Sequence, residues 1–494
     1  MIRIALGDVA AATGGRLTGG ADAAAEVSGV VVDSRAVASG DLFAAVPGER
    51  VDGHDHAVGA LGSGAVAVLA ERDLGDDVPA VVVPGRVLDA LPALAREVLA
   101  RRRALPAPFD VVGVTGSSGK TSTKDLLAAV LAPAGPVVAP PGSYNNELGV
   151  PLTALRVEED TRALVVEMGA RGKGHVAHLC GIVEPRVGAV LNVGSAHLGE
   201  FGSVEGIAAA KGELVEALPA AGDGLLDGGV AVLNADDGRV AGMATRTRAR
   251  VVTTGWGPDA DVRAQDVQLD AMGRARFVLT SSLGSAGGSA REVPVQLLVH
   301  GEHHVSNALA AAACGLAVGV PLDDVAAALG RAGAASPGRM QVTERPDGVV
   351  VVNDAYNANP ESMRAALRAL KSMQRPGGRT WAVVGEMLEL GAAARDEHDA
   401  VGRYAVRLDV SRLVAVGKGA RPVHTGAVLE GSYAEESVWV PDLEAAEQLL
   451  ADELAPGDVV LVKSSNGAGL RVLGERLALV GAAGGATAAG VTTP

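Results

Sequence analysis

The stretch Val111-Val112-Gly113-Val114-Thr115-Gly116-Ser117-Ser118-Gly119-Lys120-Thr121-Ser122-Thr123-Lys124 decides how this chain is read. It opens as an apolar, β-branched run, passes through glycine and serine, and continues into the helix-patterned Asp125-Leu126-Leu127-Ala128-Ala129-Val130-Leu131. A strand, a tight loop and a helix N-terminus in that order aim backbone N–H groups and the helix dipole at an anion. Lys120 then supplies a point charge for terminal phosphates, and the hydroxyl of Thr121 is placed for Mg²⁺. The general phosphate-loop pattern wants glycine six residues before the lysine. Val114 stands there instead, and the turn glycine is Gly116. The flanking strand and helix still favour a nucleoside triphosphate site over a small-residue turn with a surface lysine.

Outward from the loop, polar residues fall at the carboxyl ends of further expected strands, where open α/β sheets place ligands. Glu167 follows Ala163–Val166, and Asn192 and then His197 follow Val187–Leu191. A carboxylate there can take Mg²⁺ directly or through water. Strand-like runs also recur at Val230–Leu233, Val349–Val352, Trp381–Val384, Leu413–Val416 and Val459–Val462, alternating with helical stretches. In the first hundred residues, Gly29–Asp33, Ala65–Leu69 and Ala80–Val83 read as short strands, and Ala90–Leu99 as a helix. The fold class is therefore α/β, with parallel sheets buried on both faces.

At 494 residues the chain exceeds one ordinary core. Proline-rich Ala104–Pro108 and the Ser336-Pro337-Gly338 turn suggest the breaks. Four segments are expected: 1–107, 108–335, 336–480 and a disordered Gly/Ala/Thr tail, 481–494. Asp261–Val299 reads as a β-rich insertion in the second, with a Gly/Ser turn at Gly284–Ser289.

Composition excludes several classes. A formal net charge of −15 without a basic face argues against nucleic-acid binding. Arg101-Arg102-Arg103 reads as the solvated end of a helix. The longest apolar run, Ala308–Val320, falls short of the ~18–20 residues that span a bilayer. With two cysteines, Cys180 and Cys314, no disulfide framework or metal-ligand spacing exists. Each reads as a small buried hydrophobe. A cytoplasmic protein without membrane insertion is expected.

These motifs together resemble the Mur ligase family of ATP-dependent amide-forming enzymes, over nearly the whole chain. The family's loop, Thr-Gly-x-x-Gly-Lys-Thr, accounts for Val114. The resemblance implies a three-domain architecture: a domain for the UDP-sugar peptide, a central ATP-binding domain, and a C-terminal Rossmann-like domain for the incoming substrate. It implies Thr115, Gly116, Ser117, Ser118, Gly119, Lys120, Thr121 and Ser122 as the phosphate cradle, with Glu167 and His197 associated with Mg²⁺. It also implies that Lys211, fourteen residues beyond His197, is carbamylated. CO₂ would turn its ammonium, which repels a cation, into an anionic oxygen ligand.

Gly301–Ala310 resembles the adenine-contacting segment, with Asn307 on the base; His304 stands where asparagine is usual. Pro337-Gly338-Arg339-Met340 resembles the junction whose arginine reaches the terminal phosphate. Asn353-Asp354-Ala355-Tyr356-Asn357-Ala358-Asn359-Pro360 is typical of the members that add D-alanyl-D-alanine to UDP-N-acetylmuramoyl-tripeptide, a step of peptidoglycan synthesis. On that resemblance Asp354 faces the nucleotide, and Asn357 and Asn359 shape the interdomain cleft. Tyr144–Thr153 places Asn145 and Asn146 near the reacting carboxylate. Asp33-Ser34-Arg35, followed by Gly40–Phe43 and Gly48–His54, resembles the UDP-sugar module, with Ser34 and Arg35 as its contacts. Gly385–Gly391 and His398 match the C-terminal domain.

Two features depart or discriminate. Lys463-Ser464-Ser465-Asn466 lacks the arginine of the family's Lys-Gly-Ser-Arg, and the Asp-Asn-Pro-Arg of diaminopimelate-adding members is absent. A monomer acting on small molecules is expected. The alternatives are another amino-acid-adding Mur ligase, a folylpolyglutamate synthetase-like ligase, or a nucleotide binder that has lost catalysis.

Overall fold

In the computed structural model the described residues are 1–48, 51–194, 201–283 and 290–480. His197, the Gly284–Ser289 turn and the segment after 480 lie outside them. Three main sheets succeed one another along the chain, beside a two-stranded pair near the N-terminus. The phosphate-loop stretch forms strand Asp110–Thr115, all six residues buried, and helix Lys120–Leu131. That strand lies inside a nine-stranded sheet ordered Arg291–His300, Arg274–Ser281, Val262–Leu269, Arg250–Gly255, Val230–Asn234, Val187–Val190, Asp110–Thr115, Ala163–Glu167, Val137–Val138.

The strands from Arg250–Gly255 to Val137–Val138 run parallel, and alternate residues feed two apolar layers. Val112, Val114, Ala163, Val165 and Val232 pack under helices Lys120–Leu131 and His304–Val318; Val111, Leu164, Val166, Val190 and Leu233 pack on the opposite face. Each buried Val or Leu contributes about 1.5–3 kcal/mol. The apolar run read as too short for a membrane is the buried helix His304–Val318. At Gly315 it passes so close to Lys120–Leu131 that a Cβ would collide with Cγ1 of Val130. Among the described residues no helix is long and apolar enough to cross a membrane.

The strands expected as an insertion form no separate layer. Val262–Leu269 pairs parallel with Arg250–Gly255, and the next two strands extend the same sheet antiparallel. The N-terminal sheet is ordered Arg16–Thr18, Ala80–Val82, Ala67–Ala70, Asp41–Ala44, Gly29–Val31. Its core continues into the central one, since Leu6, Leu91 and Leu99 share a cluster with Val111, Val176 and Leu214.

Arg102 corrects the reading of the arginine run as solvated. It is 1% exposed. Its guanidinium donates to the carbonyls of Thr161, Ala107 and Pro108 at 2.9, 3.0 and 3.0 Å. The linker after helix Val87–Ala104 is thereby clamped onto the central sheet.

The third sheet, ordered Gln341–Glu344, Val350–Asn353, Val459–Lys463, Thr380–Val384, Arg412–Val416, Ser437–Val440, is parallel except for its first strand. Asp354 and Lys463 sit at carboxyl ends of adjacent strands, facing the central sheet's own carboxyl ends. His398 is buried, accepting the Met387 N–H at Nε2, so its part is to hold the Gly385–Gly391 loop.

Candidate active site

Between the carboxyl ends of the central and C-terminal sheets lies a cleft of about 620 Å³. The phosphate loop forms its floor. Gly119 caps helix Lys120–Leu131 with φ +79°, a left-handed conformation that glycine adopts without penalty. Asn192, at the end of the neighbouring strand, splints the loop: its Oδ1 accepts the Ser118 N–H at 2.9 Å and its Nδ2 donates to the Ser118 carbonyl at 3.2 Å. Lys120 folds back, its Nζ donating to the Gly116 carbonyl at 2.8 Å. Burial, with Arg339 adding repulsion and Glu167 opposing, holds its ammonium below the usual lysine range.

Above the loop five side chains converge. Thr121 Oγ1 donates to Glu167 Oε2 at 2.9 Å, and Asn145 Nδ2 donates to Glu167 Oε1 at 2.8 Å. Arg339 Nη2 donates to Thr121 Oγ1 at 3.1 Å and to Ser143 Oγ at 2.9 Å, while its guanidinium stacks 4.4 Å from the Tyr356 ring centroid. Residues predicted from four separate stretches of sequence thus meet at one point. Sequence reasoning misses Ser143, whose only signal is adjacency to Tyr144-Asn145-Asn146.

The C-terminal wall brings Asp354, Asn357 and Asn359. Asp354 accepts the Met340 N–H at 3.1 Å and the Lys463 ammonium at 2.6 Å. Lys463 also donates to the Asn357 carbonyl at 2.9 Å. Burial pulls its ammonium down while Asp354 opposes. Asn359 caps helix Pro360–Ser372 through its Oδ1 and donates from Nδ2 to the Ser117 carbonyl at 3.3 Å. Asn466, at the position of the family's arginine, lines the cleft.

Lys211, on helix Val204–Glu216, reaches the cleft although it is 2% exposed. Burial first, and then Lys120, drives its ammonium form far below the ordinary range. Asn307 lines the cleft beside Gly119, together with His303, which burial pushes down to about 4 and so keeps neutral. Asn307 Nδ2 points to His304 Nδ1 at 3.4 Å. His304 itself is buried, away from the cleft lining.

Some predicted residues are not brought in. Thr115 and Gly116 lie under the loop, outside the lining, and the Thr115 hydroxyl donates to the Met168 carbonyl at 2.9 Å. Asn146 lines the cleft but commits its amide oxygen to the Gly149 N–H at 2.8 Å. Ser34 and Arg35 stay in the N-terminal module, where Arg35 grips Asp33 at 2.9 and 2.8 Å and holds that carboxyl down to about 2. His197 falls outside the described residues.

Residues 26–103, 114–315 and 338–466 match, respectively, the domains described as Mur ligase family, catalytic domain; Mur ligase middle domain; and Mur ligase, glutamate ligase domain. The UDP-N-acetylmuramoyl-tripeptide–D-alanyl-D-alanine ligase of Mycobacterium bovis is 49% identical, across 97% of this chain and 98% of that one. The chain belongs to the Mur ligase family. The Escherichia coli protein of the same name is 35% identical to this Mur ligase, across 95% and 97% of the two chains. A crystal structure of MurF from Acinetobacter baumannii has a TM-score of 0.82 and 31% identity, covering 96% of this chain and 99% of that one. MurF ligase from Thermotoga maritima, solved in complex with ADP, gives 0.73 and 31%, covering 90% and 96%. This Mur ligase shares their three-domain α/β architecture.

Proposed function

We propose that this Mur ligase joins D-alanyl-D-alanine to UDP-N-acetylmuramoyl-tripeptide, with ATP converted to ADP and phosphate. The convergence of Lys120, Thr121, Glu167 and Arg339 at the mouth of a glycine loop carries the reading. The name shared by the relatives supports the choice of substrates. In this reading residues 1–107 hold the UDP-sugar peptide, 108–335 the nucleotide, and 336–480 the dipeptide.

The residues present fit the nucleotide. The Arg339 Nε is buried and has no hydrogen-bond partner among the described residues, a donor suited to an anion. They also fit Mg²⁺: one carboxylate and one hydroxyl, Glu167 and Thr121, lie in contact, the hard oxygen donors this ion prefers. When bound, the ion would offset charge on the terminal phosphates. His197 is proposed as a further ligand.

The carboxylate of the tripeptide takes the γ-phosphoryl group of ATP, and ADP departs. Lys120 and Arg339 stabilise the charge that spreads over that group. The neutral amine of D-alanyl-D-alanine then attacks the acyl phosphate carbonyl, and phosphate leaves as the amide forms. Asn145 keeps Glu167 oriented, and the Asn146 amide nitrogen is assigned to the reacting carboxylate. Asn307 is assigned to the base, Asp354 to the nucleotide, and Asn357 and Asn359 to the shape of the cleft. Ser34 and Arg35 are assigned to the UDP-sugar. Closure of the two walls would exclude the water that hydrolyses acyl phosphates.

We assign Lys211 to carbamylation. Its environment favours the neutral amine, which adds to CO₂ with release of a proton, and the carbamate is an anion that Lys120 favours. Labelled CO₂ giving a carbamate ¹³C signal lost in Lys211→Ala tests this assignment. We take the enzyme to be cytoplasmic and monomeric, with no nucleic-acid partner.

The deciding experiment measures phosphate release with ATP, Mg²⁺ and UDP-N-acetylmuramoyl-tripeptide, with and without D-alanyl-D-alanine. Release that requires the dipeptide, with a product heavier by the dipeptide less water, is expected. Silence with all components present, despite ATP binding, overturns the reading.

A further inference from the structure

Lys124 and Asp125 follow the phosphate loop by one helical turn, yet neither lines the cleft. Lys124 is 3% exposed, and its ammonium makes three contacts. Nζ stands 2.5 Å from Asp125 Oδ1, donates to the Pro140 carbonyl at 3.0 Å and to Ser336 Oγ at 3.2 Å. Asp125 Oδ2 accepts the backbone N–H of Ser336 at 3.0 Å. Two ammonium protons are therefore given to the two segments, and the Asp125 carboxylate balances the charge.

The two segments gripped by Lys124 are the two that build the reacting end of the cleft. Pro140 lies three residues before Ser143, and Ser336 three residues before Arg339. Beyond those anchors the segments meet again, where Arg339 donates to Ser143 and Thr121. The hinge has its other end fixed as well, because Asp354, paired with Lys463, accepts the Met340 N–H. Met340 sits at φ +47°, a left-handed conformation unfavourable for a side chain, which the surrounding bonds must hold. A buried ion pair is seldom more stabilising than apolar groups of the same volume. Stability alone is thus a poor account of Lys124 and Asp125, whereas directional bonds to two converging segments are something apolar packing cannot supply.

We infer that Lys124 and Asp125 are positioning residues for Arg339. They register the Ser143 loop and the Ser336–Met340 hinge on the phosphate-loop helix, so that the guanidinium stands where the phosphoryl group is transferred. The inference rests on the ligase reading above.

The test is the double variant K124M/D125N, which removes both charges together while the new amide keeps an oxygen for the Ser336 N–H. It should fold, bind ATP with little change in affinity, and release phosphate with kcat lowered about 10–100-fold, as for a misplaced catalytic group. In an Arg339→Ala background the same double change should lower kcat far less than in the wild type, because the guanidinium it positions is gone. Native kcat in K124M/D125N, or a full multiplicative loss in the Arg339→Ala background, overturns the inference. Should the double variant not fold, Ser336→Ala releases the hinge hydroxyl alone and should lower kcat severalfold; native kcat there overturns the inference equally. The NMR signal of the Arg339 Nε–H group, assigned with Arg339→Lys, gives a readout without turnover. It should shift in the variants, and an unmoved signal refutes the positioning. A wild-type enzyme that releases no phosphate, with that signal still shifting, would instead refute the ligase reading.

Discussion

Gly119→Ala isolates what the loop's conformation demands. Gly119 has φ +79°, and an added Cβ would lie 2.5 Å from Asn307 Oδ1 and 3.3 Å from its Cγ. The left-handed conformation alone costs an alanine about 1–2 kcal/mol. Turning the Asn307 amide out of the way adds about 0.5–1.5 kcal/mol of rotamer strain. The two sum to roughly 1.5–3.5 kcal/mol, a fall in Tm of about 3–14 °C for a domain of this size. Thermal denaturation followed by circular dichroism measures it. ATP affinity should drop about tenfold or more, because both a phosphate-facing turn and the proposed base contact move. Asn307→Ala separates the parts. With the amide gone, Gly119→Ala should cost only the conformational ~1–2 kcal/mol. Equal losses in the two backgrounds would refute the contact, and no loss in either would refute the left-handed strain.

Three further outcomes are expected. In CO₂-free buffer, Lys211→Met should be stabilising, and most so at low pH. The folded protein holds this amine neutral well below the pH at which the unfolded chain releases its proton near 10.5, so wild-type stability rises with pH across that window and the gap narrows toward 10.5; a pH-independent gap in urea titrations would contradict the burial argument. Arg102→Met should destabilise by about 2–4 kcal/mol, since three carbonyls lose their donor, with activity per folded molecule retained; native stability would show the clamp to be idle. Cys180 and Cys314 are both buried, and burial raises each thiol to about 12. Iodoacetamide at neutral pH should therefore label neither until the chain is unfolded, and rapid native labelling would count against both environments.

The loop, its strand and its helix are legible in the sequence because their signal is local: β-branched residues, three glycines and the loop lysine in one window. Strand ends carrying Glu167 and Asn192 follow from the same rhythm. Asp41–Ala44 is not legible as a strand, although it is fully buried next to the edge of the N-terminal sheet. Four residues beginning with aspartate carry too little periodicity to mark one. Arg102 defeats sequence reading for a related reason: its acceptors are carbonyl groups, which leave no trace in residue types. Lys463 and Asp354 are 109 residues apart, and only the sheet order places them side by side. Lys124 shows no role within the loop motif itself, since its partners lie at Pro140 and Ser336.

Asn359 uses the two ends of one amide for different masters. Its oxygen caps the helix Pro360–Ser372, and its nitrogen meets the carbonyl of Ser117 across the cleft. The walls can therefore part there by giving up one long hydrogen bond of about 0.5–1.5 kcal/mol, while the helix keeps its first turn intact. Opening for substrate entry and product exit need not unravel any secondary structure at this seam. The join behaves as a snap fastener, and each half carries its own finished edge.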